Sequence, residues 1–164
     1  IEVNKNQKTI IFDKLKEKFN DLENLKVAVL GLTFKAGTDD VREAPSIDNV
    51  KLLLENGANV NAYDPIGINN FDRALFQDRK IERYRDNLVY FNSIEEAITD
   101  SDVVLIMTEW SEIKEFDLSK YSSLMKTPYI FDGRNCYSLD DIKKHDIYYN
   151  SMGRKVVETT KIFL

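Results

Sequence analysis

The sequence predicts an α/β fold: a doubly wound, mainly parallel sheet of six strands with helices on both faces, preceded by an amphipathic helix. Six short apolar runs recur along the chain, and segments with helical spacing of apolar residues separate them almost throughout. That alternation favours right-handed crossovers onto one parallel sheet. The size agrees, because 164 residues at 43% hydrophobic suit one packed core and are too few for two of ordinary size.

From Asn4 to Phe19, Ile10, Ile11, Leu15 and Phe19 keep helical spacing among charged residues, which predicts an amphipathic helix whose apolar face needs a partner. "KVAVLG" (Lys26 to Gly31) is short, rich in Val and ended by Gly, as a buried strand is. Similar runs follow at Asn59 to Asp64, Asn87 to Phe91, Asp102 to Met107, Pro128 to Asp132 and Asp146 to Asn150. Between them, "PSIDNVKLLLENG" has Pro45 at its start and Gly57 at its end, and "SIEEAI" sets Ser93 and Glu96 at capping-box spacing. "FDLSKYSSLM" and "SLDDIKK" supply further helices, and "NNFDRALFQDRKIERYRDN" reads as a helix with a loop. The sum is a Rossmann-like arrangement.

Composition excludes several functions. A formal net charge of -5, with no Lys and Arg cluster free of interleaved acids, argues against a nucleic-acid partner. No apolar stretch approaches the ~20 residues that cross a bilayer, so no membrane partner is expected. The first residues also lack a signal peptide's regions. Cys136 is the single cysteine and His145 the single histidine, which leaves no internal disulfide and no Cys/His zinc site. A reducing, cytoplasmic setting with no metal is therefore expected. The sequence begins at Ile1 rather than Met, so the expectation is a piece of something longer.

In a doubly wound sheet, ligands bind beyond the carboxyl ends of the strands, where the strand order reverses. Phe34, Lys35 and Arg42 follow the first strand; Asp64 and Pro65 the second; Thr108, Glu109 and Trp110 the fourth; Asp132, Gly133, Arg134 and Asn135 the fifth. Against the dinucleotide fingerprint, Gly31 matches the first glycine, but Thr33 stands where the second belongs. Close backbone approach to a pyrophosphate is lost, and side chains must replace it. Lys35 offers a mobile point charge, and Arg42 and Arg134 offer planar forks for phosphate oxygens. Each has a plainer reading: Lys35 and Arg42 could pair with Asp39, Asp40 or Glu43, and Arg134 could tie its loop to Asp132. Asp64 before Pro65 reads as a turn former rather than a ribose ligand, and Trp110 as packing. His145 reads as a solvated residue, and Cys136 as buried and inert rather than a nucleophile.

Taken together, "EVNKNQK", "GLTFKAGTDDVREAPS", "LLLENGANVNAYDP", "SDVVLIMTEW", "IFDGRN" and "YYNSMGRKVV" resemble, in order and over nearly the whole chain, the carboxyl-terminal domain of the UDP-glucose/GDP-mannose dehydrogenase family. "TEW", "FDGRN" and the "SMGR"-like ending look like its UDP-glucose 6-dehydrogenase branch, although dehydrogenases of UDP-N-acetylhexosamine or GDP-mannose share the domain. The resemblance implies oxidation of the sugar C6 alcohol to a carboxylate with two NAD+ and a cysteine that forms a thiohemiacetal and then a thioester. It also implies an amino-terminal NAD-binding domain, a helical middle region that builds a homodimer, and this domain completing the UDP-sugar site. Residues 1–20 would end the connection to the middle region and residues 21–164 would form the UDP-sugar-binding domain.

By that resemblance Phe34, Lys35 and Arg134 contact UDP-glucose or a related nucleotide sugar, and Arg42 reaches an NAD held mainly by the other domain. The family's catalytic cysteine, active-site lysine and GxGxxG loop match nothing here, so no catalytic residue is expected in this chain, and Cys136 lies outside the catalytic motif. Ala36, Gly37 and Met152 depart from the family's common residues without touching these contacts. A free-standing nucleotide-sensing module without catalysis is the alternative.

Overall fold

In the computed structural model, which describes residues 7–159, the six apolar runs become β1 (Lys26–Leu30), β2 (Asn59–Tyr63), β3 (Leu88–Tyr90), β4 (Val103–Ile106), β5 (Tyr129–Asp132) and β6 (Tyr148–Ser151). They hydrogen-bond in the order β3-β2-β1-β4-β5-β6. Every pairing is parallel. Strands covered on both faces need apolar residues at every position, and Val27 to Leu30 and Val103 to Ile106 are all fully buried.

Alternation along each strand divides the core into two layers. Val27, Val29, Val103, Leu105 and Phe131 face one layer, and Ala28, Leu30, Val104, Ile106 and Ile130 the other. The first layer is covered by α1 (Ile10–Phe19), α2 (Pro45–Glu55) and α3 (Ile68–Leu75). The second is covered by α4 (Ile94–Ile98), α5 (Ser111–Lys114), α6 (Ser119–Leu124) and α7 (Leu139–Lys143).

The predicted amphipathic helix begins at Asn4, but Asn4 to Asn6 lie outside the described residues. Ile11, Phe12 and Leu15 of α1 are buried in the first layer, and the Phe19 ring meets the Tyr129 ring edge-on at 5.3 Å. The chain's own sheet thus covers the apolar face, each large side chain adding roughly 1.5–3 kcal/mol. The Phe12 N–H also donates to Asn49 Oδ1 of α2 at 3.0 Å.

Side-chain caps begin two of the short helices, α4 where the sequence implies and α7. Ser93 Oγ accepts from the Glu96 N–H, and Ser138 Oγ from the Asp141 N–H. The segment read as a helix with a loop is α3 followed by a 3₁₀ helix over Arg79–Asn87, anchored by the buried Ile81 and capped by Asp78, whose carboxylate accepts from the Lys80 N–H. Among the described residues, no helix is long and apolar enough to cross a membrane.

Candidate functional site

The strand order reverses between β1 and β4: the chain leaves β1 for α2 on one face and β4 for α5 on the other. The loops after β1, β2, β4 and β5 therefore meet at one carboxyl edge. Asp64, at the end of β2 and only 2% exposed, ties three of them together. Its Oδ2 accepts from the Leu32 N–H at 2.8 Å and from Trp110 Nε1 at 3.1 Å. Its Oδ1 accepts from the Ile66 and Gly67 N–H groups. Asp64 is the turn former its place before Pro65 implied, and Trp110 is buried packing that also donates to it.

This knot fills the place where a doubly wound fold holds a dinucleotide. Gly31 adopts φ +90°, and a Cβ there would lie 2.5 Å from Thr108 Cβ, so the glycine admits a neighbouring side chain rather than a phosphate. Thr33 is buried, its carbonyl accepting from Thr108 Oγ1 at 2.8 Å. The acid that would take a ribose hydroxyl, Asp64, already holds four donors. These residues do not build an NAD site of their own.

The side chains above the knot remain available. The Phe34 N–H donates to the Asp40 carbonyl at 2.8 Å and closes the loop, leaving the Phe34 ring 47% exposed. Phe34 and Arg134 line one pocket of about 350 Å³ with Gln7, Lys8, Glu43 and Pro45. Lys35 is exposed beside Phe34; its carbonyl accepts from Thr33 Oγ1 at 3.0 Å, and its ammonium has no hydrogen bond or ion pair among the described residues. Arg42 lies elsewhere, on a groove of about 600 Å³ between α2 and α3. Its guanidinium makes a two-pronged contact with Asp40 while its side chain stays 88% exposed. The plainer reading of Arg42 as a loop charge thus describes its present partner, and that carboxyl is held at about 2 by the guanidinium hydrogen bonds.

Arg134 is fixed from two directions. Its N–H donates to Asp132 Oδ1 at 2.8 Å, while its Nε donates to Glu109 Oε2. The tie to Asp132 is real but runs through the backbone. Asp132 is buried and also accepts from the Cys136 N–H and from the Tyr149 hydroxyl at 2.6 Å. Burial still pushes its pKa above the usual aspartate range. Arg154 of "SMGR" folds inward, donating to the Tyr137 carbonyl, Ser151 Oγ and Tyr149 Oη. Burial, with Asp132 beside it, pushes the Cys136 thiol up to about 12, the state of an inert cysteine.

Sequence reasoning named Glu109 at a strand end without a role and missed Lys8. Lys8 Nζ donates to Glu43 at 2.6 Å, and the pair lines both pockets, separating the Phe34 and Arg134 side from the Arg42 side. Neither pair is visible in local sequence, since its members stand 35 and 25 residues apart.

Residues 28–139 match the model of the UDP-glucose/GDP-mannose dehydrogenase family, UDP binding domain. The chain belongs to this family. It is 43% identical over 157 residues to the UDP-glucose 6-dehydrogenase YwqF of Bacillus subtilis, which covers 96% of the chain and 34% of that protein. To the UDP-glucose 6-dehydrogenase TuaD of the same organism it is 38% identical over 161 residues, 98% of the chain and 33% of that protein. The chain thus spans about a third of the length of the curated relatives it matches. Among solved structures, a UDP-glucose dehydrogenase from Pyrobaculum islandicum superposes with a TM-score of 0.69 at 28% identity, over 91% of this chain and 30% of that one. The UDP-N-acetyl-mannosamine dehydrogenase Cap5O of Staphylococcus aureus gives 0.64 at 28% identity, over 93% and 32%. The family match extends across the β1 loop, the Asp64 knot and the Arg134 turn.

Proposed function

We propose that this chain is the carboxyl-terminal, UDP-binding part of a UDP-glucose 6-dehydrogenase, in which Phe34, Lys35 and Arg134 bind UDP-glucose. The observation that carries the reading is the meeting of Phe34 and Arg134 on one pocket, with Lys35 next to Phe34 in the chain and its ammonium without an ion pair among the described residues. An exposed ring gives the apolar surface that a base covers, and an arginine fork with a lysine point charge matches a diphosphate. The identity to UDP-glucose 6-dehydrogenases over 96% and 98% of the chain supports the substrate class.

NAD, bound mainly by an amino-terminal domain, supplies the oxidising power, and Arg42 reaches toward it from the groove beside α2. What this chain contributes is anion recognition and orientation, so that the sugar is presented to chemistry performed elsewhere in the protein. The complete protein is a cytoplasmic homodimer in this reading.

Calorimetric titration of the full-length protein with UDP-glucose tests the site. Lys35→Ala and Arg134→Ala are each expected to cost about 1.5–3 kcal/mol of binding, the scale of a charged hydrogen bond. Unchanged affinity in both variants would sink the assignment.

A further inference from the structure

Glu109 follows β4, the strand between β1 and β5, so it stands between the loop that carries Lys35 and the turn that carries Arg134. Its carboxylate accepts from Arg134 Nε alone, and the two terminal amino groups of that guanidinium have no other partner among the described residues. The Arg134 hydrogen bond holds the Glu109 carboxyl below the usual glutamate range.

We infer that Glu109 is a positioning residue: it grips Arg134 by Nε and so aims the two free amino groups of that guanidinium at the diphosphate. This rests on the nucleotide site proposed above. The reverse role is physically open to a carboxylate in this place, since a negative charge beside an anion site repels the ligand and competes for the arginine. The two roles differ in sign. A competitor, once removed, tightens binding; a positioning group, once removed, weakens it.

The pair is about one-third exposed on each side, 33% for Arg134 and 32% for Glu109, so it is reachable by ligand without being fully solvated. An arginine freed of its Nε partner regains rotamers that must be lost again on binding, which is the physical source of the penalty.

The experiment is a calorimetric UDP titration of the full-length protein as wild type, Lys35→Ala, Arg134→Ala, Glu109→Ala, Glu109→Gln and the double variant Glu109→Ala/Arg134→Ala. Glu109→Ala is expected to weaken UDP about tenfold, and Glu109→Gln about threefold, because the amide oxygen still accepts from Nε. In the Arg134→Ala background, Glu109→Ala is expected to add no further loss, since its effect passes through Arg134. If Glu109→Ala fails to fold, Glu109→Gln carries the same sign test. Equal or tighter binding in the Glu109 variants, with Arg134→Ala weakened, overturns the positioning role and leaves the site standing. Binding unaffected in Arg134→Ala and Lys35→Ala overturns the site itself, and the Glu109 inference with it.

Discussion

Asp64 lies at the end of β2 with its two oxygens accepting from Leu32, Ile66, Gly67 and Trp110. Truncating it leaves those donors short of a buried acceptor, so Asp64→Ala is expected to cost about 3–5 kcal/mol of stability. Trp110, the single tryptophan, reports the change directly: it is 9% exposed, and its emission should shift from the native maximum as its indole N–H loses Asp64. Urea unfolding followed by that emission measures both effects. A variant with the native midpoint and native emission would mean that the three loops are held by something else. The same residue explains why the sequence "GLTFKAGTDD" lacks a glycine nest. The space is occupied by Thr33, Thr108 and the Asp64 carboxylate, and in the function proposed above phosphate recognition falls to Lys35 and Arg134 instead.

At the scale of elements, α1 decides where the folding unit begins. Leu15 is fully buried against the sheet, and Lys14 Nζ donates to Asn150 Oδ1 and the Ser151 carbonyl at the end of β6. Leu15→Ala is therefore expected to lower the global unfolding free energy by about 2–5 kcal/mol, as a leucine inside the sheet layers would. Chemical denaturation checks it, and an unchanged midpoint would make α1 an appendage of the domain. All six strands were legible because runs such as Val27 to Leu30 carry apolar residues at consecutive positions between turn formers. The 3₁₀ helix over Arg79–Asn87 was not, since its mixed charges hide a single anchor, Ile81. The candidate site was legible as residue types at strand ends. Its pairings were not, because Lys8 with Glu43 and Arg134 with Glu109 depend on which loops the strand order brings together, and no local period encodes that.

Over the whole molecule, acid acts in two directions, and the sign separates them. Hydrogen bonds from Arg42, Lys8, Arg134 and Ser119 hold Asp40, Glu43, Glu109 and Asp117 below their ordinary values. Each contributes stability that is present above its unfolded value, 3.8 for Asp and 4.5 for Glu, and lost as pH falls through the folded one. Asp132 is the opposite case, because burial raises it above 3.8. The folded chain then holds a proton that the unfolded chain has released, so its contribution is full below 3.8 and declines as pH rises through the folded value. Stability should accordingly hold or rise as pH falls from neutral into mild acid, and drop only when the four lowered carboxylates protonate. The Tyr149 hydroxyl favours the charged form of Asp132, so Tyr149→Phe should raise that carboxyl further and start the mild-acid rise at higher pH. Urea midpoints recorded across the pH range for wild type and Tyr149→Phe test the scheme. A steady fall from neutral pH in the wild type, or superimposable profiles in the two proteins, would show that the carboxylate holding the Arg134 turn does not govern the acid response.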